Sequence, residues 1–109
     1  MMNLEVIKQN EADNIRKYIH LYYNDEIGMY TAYGLSAYLV TYVENPILSY
    51  SEAAQMPVAL LNGEHIVTCR RSLTKRVHRV NQYYLFEMAN YLPKDENYER
   101  WETRLKNKL

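Results

Sequence analysis

Between His65 and Phe86 the chain carries five cations and no carboxylate: Arg70, Arg71, Lys75, Arg76 and Arg79. Thr68, Ser72, Thr74, Gln82 and Tyr83 are interleaved with them. Guanidinium and ammonium groups pair with phosphates, while hydroxyls and amides bond sugars, nucleic-acid backbone or base edges. This mixture suits a nucleic-acid partner, whose binding through phosphates would weaken as salt rises. The candidate contacts are Arg70, Arg71, Thr74, Lys75, Arg76, Arg79 and Tyr83. The same cations fit equally well a solvated face, or a face balanced by the protein's own acidic part.

Tyrosine is the second signal, with twelve in 109 residues. Tyr18, Tyr22, Tyr42, Tyr84, Tyr91 and Tyr98 fall on expected apolar stripes, where core packing accounts for them. Tyr23, Tyr30, Tyr33, Tyr38, Tyr50 and Tyr83 are harder to bury together. Tyrosine supplies large contact area at low entropic cost and can stack on bases, so the first five are candidate partner-binding residues beside Tyr83 of the basic segment.

Catalytic chemistry has little to stand on. His20, His65 and His78 lie in different expected elements, and a zinc site wants three or four ligands. The three glycines are scattered, so there is no phosphate-cradling loop. Cys69, beside Arg70 and Arg71, is either a thiol of lowered pKa or a buried structural one. No catalytic residue, metal site or cofactor is expected, and the chain reads as non-enzymatic.

The elements that must position these residues read as one domain over residues 1–109, mainly α with one β-hairpin (α+β). Apolar residues make up 48%, and thirteen basic residues balance thirteen acidic ones. The balance conceals an asymmetry: residues 1–64 hold eight acids against three bases. One cysteine and no basic-then-apolar leader point to a reducing cytoplasm. The apolar-leaning stretch 27–43 is too polar to span a bilayer, so no membrane partner is expected.

Asn10 is the expected cap of a first helix whose stripe is Ile15, Tyr18, Ile19 and Tyr22, ending near Gly28. Residues 29–44 mix helical spacing with β-formers, and their length favours a helix. A helical turn follows at Ser51–Gln55. Asn62-Gly63 between Val58–Leu61 and Glu64–Val67 has the form of a type I′ hairpin. Ser72 is the expected cap of the longest helix, running to about Tyr91, with Leu73, Val77, Val80, Tyr84 and Met88 inward and the cations outward. Asp95 is the expected cap of a last helix with Tyr98, Trp101 and Leu105 as its stripe. The order of helices resembles a helix-turn-helix core over about half the chain, although the expected hairpin stands where the tight turn belongs.

Two functions follow as expectations. One is a small nucleic-acid-binding regulator of phage or plasmid type, using a basic helix face on DNA. The other is an inhibitor or adaptor that engages a host protein complex through a tyrosine-rich, acidic surface. Homodimerisation is open under both.

Overall fold

The computed structural model describes residues 4–14, 18–42, 44–72, 74–80, 83–88 and 96–107. Its framework is a six-stranded antiparallel sheet, so a mainly α, alpha-helical domain with one hairpin is ruled out, and a helix-turn-helix core with it. The elements follow as α1 (Leu4–Ala12), β1 (Tyr18–Asn24), β2 (Met29–Tyr33), α2 (Gly34–Val40), β3 (Ile47–Ser51), β4 (Met56–Leu61), α3 (Gly63–Ser72), β5 (Thr74–Val80), β6 (Tyr83–Met88) and α4 (Glu96–Asn107). Across the sheet the strands run β3-β4-β2-β1-β6-β5. Three hairpins are each followed by a helix, and the hairpins lie side by side.

Strand register sorts the residues between the two faces. Ile19 stands opposite Phe86, Ala32 opposite Ala59, and Leu48 opposite Ala59 from the far side. These residues share one apolar cluster with Leu35 and Leu39 of α2, Ile66 and Cys69 of α3, and Tyr98, Trp101 and Leu105 of α4. The three helices therefore cover one face of the sheet. Each fully buried Leu, Ile or Phe there contributes about 1.5–3 kcal/mol of apolar transfer free energy.

Each helix-to-strand correction has a local cause. In residues 18–23 the sequence Tyr-Ile-His-Leu-Tyr-Tyr is apolar at nearly every position, so it satisfies a 3.6-residue and a two-residue period at once. β-branched and aromatic content decides for the strand. Asn24 to Gly28 is then a hairpin turn: Asn24 Oδ1 accepts the Glu26 N–H at 3.0 Å, and Gly28 takes φ +67°. The helix before it is α1, which ends where the expected one was to begin. Residues 29–44 divide into strand β2 and the seven-residue α2. Residues 52–55 form the β3–β4 turn, where Gln55 adopts φ +56°.

The expected Asn62-Gly63 hairpin is the start of a helix instead. Asn62 Oδ1 accepts the His65 N–H at 3.0 Å, and His65 Nδ1 accepts the Asn62 N–H at 3.1 Å. This reciprocal pair is a capping box, with His in the place more often held by Glu or Gln. Gly63 is not among the residues with positive φ, which a type I′ turn would require. The long helix expected from Ser72 to Tyr91 divides into the tail of α3, strand β5 and strand β6. Thr74, Val77 and Val80 supply β-branched residues, and Val80 pairs with Tyr83 across a two-residue connection. Leu73, Tyr91 and Asp95 lie outside the described residues. α4 holds Tyr98, Trp101 and Leu105 inward, as its helical spacing requires.

Candidate functional site

The acid-free segment does not form a helix face. Arg70 and Arg71 belong to the last turn of α3, and Arg71 is exposed. Thr74, Lys75, Arg76 and Arg79 lie along β5, the outermost strand of the sheet. A shift in pairing falls between Thr74 and Arg76, and Arg76 stands opposite Glu87 of β6. Cations and a bulge on an edge strand are common devices against unwanted strand pairing. The position of this segment thus has a structural explanation beside the functional one.

Tyr83, the seventh candidate, is on β6 opposite Val80. It is half-buried, and its hydroxyl lies 2.5 Å from His20 Nδ1. Burial, with the Glu11 charge nearby, pushes the Tyr83 hydroxyl up to about 12.

The five partner-binding tyrosines do not gather on one surface. Tyr38 is buried between Tyr42, Tyr98 and Trp101, with ring centroids 5.1–5.4 Å away. Tyr23 meets Tyr30 edge-on at 5.2 Å, and Tyr30 meets Tyr84 at 5.4 Å against the core. Tyr33 contacts Tyr22 at 6.2 Å. Tyr50 is half-buried on β3, opposite Pro57. The surplus tyrosine mostly forms aromatic pairs that pack the sheet and helices.

A polar network that sequence spacing did not reveal ties α1, β1 and α2 together. Ser36, fully buried at 0% exposure, donates its hydroxyl to Glu11 Oε2 at 2.6 Å and its N–H to Glu11 Oε1 at 3.0 Å. The same hydroxyl accepts the His20 N–H at 2.9 Å. That bond ties the β1 backbone at His20 to the first turn of α2. Asn10 Nδ2 donates to the Tyr22 hydroxyl at 2.9 Å, adding a second tie from α1 to β1. Glu11 as a residue is half-buried, and its carboxylate is the part turned inward onto the start of α2.

Two ionisations are displaced in this network. Burial raises the Glu11 carboxyl to about 7, against the lowering effect of the Ser36 bonds. Burial lowers His20 to about 4, which keeps its imidazole neutral. A serine, a histidine and a carboxylate so close suggest a nucleophilic triad, but the geometry is different. The His20 imidazole engages Tyr83, only its backbone meets Ser36, and the Ser36 hydroxyl has no exposed surface. The arrangement joins elements rather than presenting a nucleophile.

Cys69 is 1% exposed in α3, and burial raises its thiol to about 12, as expected of a structural cysteine. Of the residues above, Glu11, Ser36 and His20 were missed from sequence because they lie 9 to 25 positions apart and match no motif. Among the described residues, no helix is long and apolar enough to cross a membrane. No family model, curated protein or solved structure matches the chain.

Proposed function

We propose that the protein binds nucleic acid through the edge formed by the end of α3 and strand β5, contacting the phosphate backbone. One observation carries the reading. The chain's acid-free cationic segment lies at a single margin of the sheet, with Arg70 and Arg71 leading directly into the strand that holds Lys75, Arg76 and Arg79. Cations spread along a strand at the sheet margin suit phosphates rather than base edges, so the contacts are positional and largely independent of base sequence. Non-catalytic binding of this kind is compatible with a regulatory role.

The test is fluorescence anisotropy with labelled single- and double-stranded DNA of mixed sequence. Affinity should fall steeply between roughly 50 and 200 mM salt as counterions are released. The variant Arg71→Glu with Lys75→Glu should weaken binding to every sequence alike and flatten the salt slope. Arg76 is left intact because a glutamate there would stand opposite Glu87 and disturb the strand pairing. Absence of affinity at low salt, together with a tight complex to a host protein, would replace this reading with the inhibitor one.

A further inference from the structure

The two edges of the sheet are treated in opposite ways. At one margin β5 carries Lys75, Arg76 and Arg79 and an irregular register. At the other, β3 reads Ile47-Leu48-Ser49-Tyr50-Ser51, with no charge, no proline and no shift in its pairing to β4. Ile47 is 58% exposed and Ser49 is also exposed, and among the described residues no strand pairs with the outer side of β3. An edge strand with neither charge, proline nor bulge presents backbone N–H and C=O groups that can template another strand, and α4 packs against β3 without pairing with it.

We propose that β3 pairs with β3 of a second copy of this chain, antiparallel about a two-fold axis through Ser49. The choice of occupant rests on self-complementarity. In this register Ser49 meets Ser49, Ile47 meets Ser51, and Leu48 meets Tyr50, so no like charges oppose one another. Leu48 already packs against the main apolar cluster, and Ile47 gains cover it now lacks. The same operation at β5 would bring cationic strands together, which disfavours it. An isologous contact closes after two copies and leaves no free β3 edge to propagate a fibre.

The resulting sheet has twelve strands, with the two β5 edges at its opposite ends, roughly 50 Å apart at the usual strand spacing. The dimer stands independently of the nucleic-acid reading. If both hold, each dimer presents two basic margins to one long polyanion, and binding gains from their linkage.

Sedimentation velocity and light scattering on the full chain, from micromolar to submillimolar concentration, test the proposal. The expected mass is twice the 13.0 kDa of the chain. Ser49→Lys places two ammonium groups at the axis and should raise the dimer dissociation constant at least about tenfold, while circular dichroism keeps its native form because Ser49 is exposed. Ile47→Lys should act in the same direction. Ser49→Thr, uncharged and β-branched, should leave the dimer in place, which separates charge at the axis from any change at that position. A wild type that stays monomeric throughout, or a folded Ser49→Lys chain that dimerises as well as wild type, overturns the assignment. So does open-ended assembly beyond the dimer.

Discussion

Glu11 and His20 displace the pH dependence of stability in opposite directions, so that each conceals the other. The Glu11 carboxyl moves from 4.5 to about 7 on folding. Between those values the native state holds a proton that the unfolded chain has released, so stability falls as pH rises through the window. At about 1.4 kcal/mol per pKa unit, the loss totals about 3 kcal/mol. His20 moves from 6.5 to about 4. There the unfolded chain holds a proton that the native state has shed, so stability falls as pH drops through the window, again by about 3 kcal/mol. From about 4.5 to 6.5 the two slopes are equal and opposite, and their joint contribution is flat.

Single substitutions uncover the hidden slopes. His20→Phe should leave the Glu11 dependence alone, so its unfolding free energy should drop by about 3 kcal/mol from pH 4.5 to pH 7. Glu11→Gln should leave the His20 dependence alone, with a rise of similar size from pH 4 to pH 6.5. Urea titrations followed by fluorescence of Trp101, the one tryptophan and a buried one, give the free energies at each pH. The absolute stability of each variant also changes, because the Tyr83 hydroxyl or the Ser36 donors lose a partner. The slope against pH is therefore the quantity to compare. Two variants with profiles parallel to wild type would show that neither buried group titrates as described.

Two further substitutions probe the backbone. Gly34→Ala should cost at least about 1–2 kcal/mol: Gly34 has φ +55°, and an added Cβ would lie 3.0 Å from Met56 Sδ; thermal melts would show it, and an unchanged melting temperature would contradict the backbone described. Gly63→Ala should be neutral or stabilise by up to about 1 kcal/mol, because Gly63 opens α3 without positive φ and has open space around it. A marked loss on that change would restore the hairpin turn in place of the capping box.

Local chemistry was legible where one period or one residue type dominated. α4 could be read directly, because Tyr98, Trp101 and Leu105 recur at helical spacing among charged neighbours and no alternating pattern competes. The acid-free basic segment was also visible from composition alone. Cys69 stood in the sequence as either a reactive or a buried thiol, and only its place in α3 against the core decided for burial. Residues 18–23, 74–80 and 83–88 were not legible, because runs rich in tyrosine, valine and other β-formers satisfy helical and strand periods together. Their state is settled by partners distant in sequence, as when β1 lies between β2 and β6. Asn62-Gly63 failed for a related reason: asparagine serves a turn or a helix cap equally well, and only the His65 side chain folding back decides between them. The network of Glu11, His20 and Ser36 belongs wholly to the tertiary structure. A carboxylate is driven to neutral pH, and a histidine far below it, only by the water that packing removes, and no single-chain pattern records that loss of water.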